Sequence, residues 1–564
     1  ILPMAFVSGM MGPYMSPMPI GASIAMLLSL FVALTVTPYL GYHLLQEKEE
    51  QAHKHAEGLE TNLIYKIYSK IERPFLDNSF KRRLLLAGTV VLLMGSILMF
   101  FTKSVVVKML PFDNKNEFQV VIDMPEGSTL ERTSAVTREI AQYVSTQPEV
   151  VNYQNYVGTS APITFNGLVR HYDMRGGSNM ADIQVNLLHK EDRDLQSHDI
   201  AKAMRPEIQK IAKKYGANVK LIEVPPGPPV LSTLVAEIYG PDYEEQIKVA
   251  QQVQTILQNT TDIVDIDWMV EDHQTEFRLE VDKEKAMLNG IAPQQVVGNL
   301  TYLLKEYPVS NLYDENSNDN VSIVLSLDDK DKTSLQDIQN LKIKGSQGNM
   351  IPISDLVKVR KDTLQKTIYR KDQKRVVYVT ADMAGTLESP VYAILGMNEK
   401  LSKMKIPKGY KINELYMEQP TDESDFTVKW DGEWQITLEV FRDLGVAFMV
   451  VIVIIYMLIV GWFQNFKTPI VMMLAIPLSL IGIVLGHWML NAYFTATSFI
   501  GMIALAGVMV RNSVLLIDFI EIRLNEGVAL KQAIIEAGAV RTTPILLTTG
   551  AVVIGASIIL FDPI

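Results

Sequence analysis

The stretch 501–521, GMIALAGVMVRNSVLLIDFIE, constrains this chain more than any other, because it is an apolar run of membrane-spanning length with Arg511 and Asn512 near its middle. A charge at the centre of a spanning helix costs roughly 2.5–3.5 kcal/mol on insertion scales, so it normally faces a bundle interior and a carboxylate partner. Arg511 can alternatively snorkel along its aliphatic stem toward an interface. The run continues apolar through Val514, Leu515, Leu516 and Ile517 before Asp518, which favours an intramembrane ionisable site.

Other runs of similar length crowd the two ends of the chain. They lie at 20–45, 84–101, 444–463, 470–490, 495–520 and 543–561, and 1–7 reads as the tail of one more. The region 103–443 is soluble in character. There the hydrophobic period switches between two and about 3.6 residues, predicting strands at 117–124, 180–188, 218–224, 234–239, 264–269 and 374–383. Helices are predicted at 128–144, 197–215, 243–258 and 390–403, with an amphipathic lead-in at 430–441. Repetition of strand, helix and strand indicates α+β subdomains of the split βαβ kind. The fold class expected is therefore a polytopic α-helical membrane protein with a large extracytoplasmic α+β insert.

Charge sets the orientation. Placing 46–83 in the cytoplasm puts 465–467 and the amphipathic connector 521–541 there too, with Lys81, Arg82, Arg83, Lys467, Arg523, Lys531 and Arg541. The opposite short loops, 8–19 and 488–494, carry no lysine or arginine, as the positive-inside rule requires. The insert then lies outside the cytoplasm.

Several function classes find no anchor. A net charge of −11 without a basic stripe excludes a nucleic-acid footprint. With no cysteine there is no thiolate chemistry. No HExxH helix, GxSxG elbow or P-loop is present, so an ion gradient is the energy source open to a membrane machine of this kind. His53 and His55 stand in a charged connector without further ligands, and neither a metal site nor a cofactor is expected. The chain opens at Ile1 inside an apolar segment, which suggests a piece of a longer protein.

Local stretches carry a family resemblance. ILPMAFVSGMMG with the following span, LPFDNKNEFQVVIDMPEGSTLERT, VDKEKAMLNGIAPQQV, and GVMVRNSVLLIDF followed by RTTPILLTT together resemble the second half of a resistance-nodulation-division (RND) efflux pump. The resemblance implies the end of the fifth membrane helix and the sixth over 1–45, a cytoplasmic connector at 46–83, and helix seven at 84–102. It implies a first porter subdomain at 103–233, a second at 234–276 resumed at 368–442, and a docking subdomain at 277–367. Helices eight to ten then occupy 443–520, the connector 521–542, and helix eleven 543–564.

The same resemblance implies proton-driven export of hydrophobic or amphiphilic small molecules, with heavy-metal export or an RND-related protein-export or lipid-handling role as alternatives. The pump would be a homotrimer in the lipid of a bacterial inner membrane, its large domain periplasmic, joined by a periplasmic adaptor and an outer-membrane channel. Arg511 matches the family's basic residue on helix ten, with Asn512 and Thr548 as polar helpers. Arginine hardly deprotonates, so it would act as a fixed charge opposite helix-four carboxylates. Substrate would meet Met124, Phe165, Leu168, Tyr172, Met174 and Val230. Met124 matches one of three methionines in the copper-exporting branch, while Phe165 and Val230 fall at the other two positions and point to a hydrophobic pocket.

Overall fold

The structure is a computed structural model and describes residues 2–44, 63–162, 165–224, 227, 230–305, 307–313 and 316–557. The connector histidines His53 and His55 lie outside the described residues. Six helices among them are long and apolar enough to cross a membrane: Gly9–Leu44, Ser79–Phe101, Glu433–Phe463, Lys467–Met489, Ala496–Asn525 and Leu530–Ser557.

Three of these differ from the sequence reading: Gly9–Leu44 takes in nearly all of 8–19, expected as a loop, because the prolines there sit at helix starts, where a missing N–H costs nothing. The connector and last span form one helix, Leu530–Ser557, whose first half packs Ile535 and Ala539 against Tyr65 of a short amphipathic helix, Leu63–Asp77. Lys531 reaches Asp77 at 2.8 Å across the same seam. The lead-in expected at 430–441 is instead split. Trp430 closes the strand Phe426–Gly432, and Glu433 opens a 31-residue helix that runs unbroken to Phe463. Gly432 makes the break at φ +80°, where a side chain would be strained.

Two subdomains of split βαβ type stand between the membrane helices. In the first, Val150–Thr159, Gly176–Leu187, Glu117–Asp123 and Asn218–Ile222 lie side by side in that order, all antiparallel. The helices Leu130–Val144 and Ser197–Tyr215 cover one face, burying Val136, Ile140, Ile200 and Ile208 against Val120, Ile122 and Ile183. The strand Val150–Thr159 was not foreseen. Its VVNYQNYVGT is mostly polar and exposed, so it lacks the apolar alternation that marks a half-buried strand.

The second subdomain centres on Leu234–Tyr239, flanked by Lys374–Met383 and Phe426–Gly432. Ile263–Trp268 adds to the far side of Lys374–Met383. The helices Tyr243–Gln258 and Pro390–Ser402 bury Val249, Val253, Ile394 and Met397 beneath Trp430 and Phe426. A separate compact unit, Glu271–Thr367, is inserted between its second and third strands. That unit pairs Thr275–Val281 with Val357–Thr363 and encloses Ala286, Ile291, Val296 and Ile353.

Candidate functional site: a charged cleft and a membrane arginine

The two subdomains meet along a junction whose charges are sorted by wall. The first wall carries cations. His198, Lys202 and Arg205 are four and three residues apart on the Ser197–Tyr215 helix, which places them on one face. Lys220 comes from Asn218–Ile222 and Arg170 from the end of the short helix Phe165–Arg170. The second wall carries carboxylates: Asp265 and Asp267 from Ile263–Trp268, Asp382 from Lys374–Met383, and Glu388 just before Pro390–Ser402.

These groups pair across the junction. Arg170 meets Asp382 at 2.9 Å, and Lys202 meets Glu388 at 2.7 Å. Arg205 pairs with Asp265, and Lys220 with Asp267. His198 bridges Glu223, 2.7 Å from Nδ1, and Glu388, 3.0 Å from Nε2. Its ring stacks on Phe112 with centroids 3.7 Å apart, while the buried Lys108 ammonium lies 3.6 Å from the same ring's centroid. Phe112 is thus held between an imidazole and a cation, one on each face.

Burial and pairing compete in the ionisation of these groups. Burial disfavours a charged His198 ring, but hydrogen bonds to Glu223 and Glu388 outweigh it and push the ring up to about 9. Burial would raise Glu388, yet the hydrogen bonds from His198 and Lys202 hold it down at about 2. Asp382 is likewise held well below the carboxylate range, because the Arg170 charge and the Thr233 hydrogen bonds overcome its burial. At Asp265 burial prevails over Arg205, and the carboxyl is raised.

A cavity with about 50 Å³ of room lies within the junction, lined by Met109, Phe112, Leu221, Val230, Met383 and the charged groups Arg170, Arg205, Asp382 and Glu433. Sites for drug-sized ligands run to roughly 300–1,000 Å³. This cavity is therefore too small for such a ligand.

The residues singled out from sequence are distributed unevenly around it. Val230 lines this cavity and also a larger one of about 330 Å³ beside Met10, Val169, His171 and Tyr378. Met124 is instead 3% exposed in the core of the first subdomain, where its thioether packs among aliphatic side chains. Leu168 and Met174 point to solvent at 56% and 72% exposure. The Arg175 guanidinium lies 5.6 Å from the Tyr172 ring. The side chain of Phe165 lies outside the described residues.

In the membrane portion, Arg511 and Asn512 share the Ala496–Asn525 helix and Thr548 lies on Leu530–Ser557. Arg511 is exposed on this half, with no carboxylate in ion-pair range among the described residues. The Asn512 Oδ1 is buried without a hydrogen-bond partner among the described residues. Thr548 Oγ1 donates to the Ile545 carbonyl at 3.0 Å, the self-satisfied arrangement of a helix hydroxyl.

The ion pairs at the junction were missed by the sequence reading. One signal was available in the basic stripe His198, Lys202 and Arg205, whose spacing is helical and whose opposite face is apolar.

Membrane-length helices carrying two split βαβ subdomains around a charged cleft define a multi-pass membrane protein. The chain belongs to the AcrB/AcrD/AcrF family, which matches it over residues 1–559. It is 23% identical over 557 residues to the swarming motility protein SwrC of Bacillus subtilis, covering 98% of this chain and 49% of that protein. It is 22% identical over 566 residues to an uncharacterized transporter of Haemophilus influenzae, covering 98% and 50%. Two crystal forms of a heavy metal efflux pump share the fold with a TM-score of 0.73 at 18% and 19% identity, each covering 97% of this chain and 51% of theirs. The chain spans about half the length of the curated relatives it matches.

Proposed function

We propose that this chain is the second half of an RND exporter that extrudes hydrophobic or amphiphilic compounds in exchange for protons. The observation that carries the reading is Arg511, a permanent cation within a membrane helix whose side chain is exposed on this half. A charge so placed requires a counter-charge from neighbouring helices. Carboxylates supplied by the remaining half of the protein would pair with it when ionised and release it when protonated. Helix movement driven by that exchange would open and close the cleft. Transmembrane potential contributes about 2.3 kcal/mol per elementary charge per 100 mV to such a cycle.

The assembly we propose is a homotrimer in a bacterial inner membrane, with the α+β subdomains in the periplasm. The Glu271–Thr367 unit would serve docking to an outer-membrane channel, together with a periplasmic adaptor. Such a unit also weighs against a protein-export or lipid-handling role. A second reading, export of heavy-metal cations, is supported by the description of the one pump solved in two crystal forms. Met124 weighs against it, because its thioether is enclosed by the core.

The test is Arg511→Ala in the full-length protein. Extrusion of a lipophilic dye should cease while the protein still assembles, and retained proton-coupled extrusion would sink the coupling assignment. Parallel assays with metal ions separate the two substrate classes.

A further inference from the structure

The pairs that close the cleft are not equivalent. Each of the other pairs has at least one member that keeps a partner on its own wall. Lys220 keeps Asp123 at 2.6 Å, and His198 keeps Glu223. Asp382 keeps the Ser232 hydroxyl at 2.9 Å and the Thr233 amide and hydroxyl at 2.9 and 2.8 Å. Glu388 keeps the Gly385 amide at 3.2 Å. If the walls part, these charges remain compensated.

Arg205 and Asp265 are arranged differently. The Asp265 side chain is 1% exposed, and both its partners, the Arg205 guanidinium and the Leu221 amide at 3.2 Å, belong to the first wall. Among the described residues Arg205 hydrogen-bonds to Asp265 alone, and its Nε, like that of Arg170, is buried without a partner there. The strand carrying Asp265 is bulged at this point. Thr380 pairs with Asp267 but Asp382 pairs with Val264, leaving an extra residue, and Asp265 adopts φ +51°. Left-handed backbone at a non-glycine residue is held only by its surroundings, and bulges re-aim side chains. Here the bulge turns the carboxylate toward the opposite wall.

We propose that Arg205–Asp265 is the catch of an ionic latch that holds the cleft shut, each remaining pair keeping at least one member bonded within its own wall when it opens. The inference rests on the reading that the subdomains part during transport. An apolar seam would resist water at every step of opening. A seam of hydrogen-bonded charges with partners in reserve exchanges part of one set of contacts for another, and the catch is the pair in which both members must be hydrated. Breaking a buried pair by removing one member leaves an uncompensated charge, which here can be relieved by opening.

The chain contains no cysteine, so a single one can report on the cleft. Val224, which lines the junction cavity, is replaced by cysteine in the full-length protein, with any cysteine outside this chain replaced by serine, and its reaction rate with a water-soluble maleimide is measured against the protein without Val224→Cys. Asp265→Asn, which tolerates the same backbone conformation, should speed labelling roughly tenfold. Arg205→Met, which removes the pair from the other wall, should act in the same direction, while Glu207→Gln on the solvent side of that helix should not. Unchanged labelling in both catch variants overturns the latch, as does an equal rise in Glu207→Gln. Dye extrusion by the unsubstituted full-length protein is measured alongside. Its absence would remove the transport reading, whereas the labelling ratio would still decide the catch.

Discussion

Arg170 donates to Asp382 at 2.9 Å across 212 residues of chain, and neither side chain is more than 15% exposed. The carboxylate also accepts from Ser232 and Thr233, all at Oδ1. Removing one member of such a pair leaves the other desolvated. Arg170→Met or Asp382→Ala should destabilise the full-length protein by about 3–5 kcal/mol, read as a lowered thermal unfolding midpoint in detergent. The double variant should lose less than the two singles combined.

His198 gives the fold a pH dependence with a definite sign. Its folded value, about 9, lies above the ordinary 6.5, so the folded state holds the proton more tightly than the unfolded chain. The stabilisation is complete below about 6.5 and is lost as pH rises through 9. Glu388 behaves in the opposite sense: held near 2 against an ordinary 4.5, it stabilises above 4.5 and loses that contribution as pH falls through 2. Unfolding midpoints of the wild type should therefore decline between pH 7 and 10 more steeply than those of His198→Gln. Parallel curves would show that the bridge contributes nothing.

Lys429 is fully buried in the second subdomain, 3.1 Å from Asp431 and 3.5 Å from Glu237, with Lys371 bonded to the same two carboxylates. Burial and the neighbouring Asp431 push Glu237 up to about 7. Lys429→Met removes a cation that this acid cannot spare and should cost about 3–5 kcal/mol. Adding Glu237→Gln should restore part of it, because the uncompensated charge is then gone too. Chemical denaturation of the three variants checks the order.

Gly432→Ala should be poorly tolerated. At φ +80° a Cβ is strained, and it would lie 2.4 Å from the Ser232 carbonyl oxygen and 3.1 Å from that of Thr233. Backbone atoms just before the strand Leu234–Tyr239 cannot yield as a flexible side chain would. A loss of about 1–3 kcal/mol is expected from the conformation alone, more from the contact. Expression level and unfolding midpoint are the measurements.

The membrane helices could be read from the sequence because length and apolarity suffice to mark them, and Ser197–Tyr215 and Leu234–Tyr239 because their periods are clean. Val150–Thr159 could not, since a strand with a largely solvated surface leaves no apolar rhythm. The split at Gly432 was obscured because Trp430 and Trp434 are both buried and sit at helical spacing, although one ends a strand and the other begins a helix. The cleft was hidden for a different reason. Arg205 and Asp265 are 60 residues apart and His198 and Glu388 are 190 apart, so only tertiary packing brings the charges together.

Glu433–Phe463 has its first residue in the wall of the cleft cavity and its last beyond a membrane-length apolar run, with no break between them. Thirty-one residues of α-helix extend about 46 Å. Pivoted at its lower end, such a rod multiplies small rotations: a tilt of about 5° carries its upper end sideways by about 4 Å, as the 1.5 Å rise per residue dictates. That is more than the length of any ion pair that closes the cleft. A modest rocking among the membrane helices, too slight to disturb their own packing, would therefore suffice to pry the two walls apart.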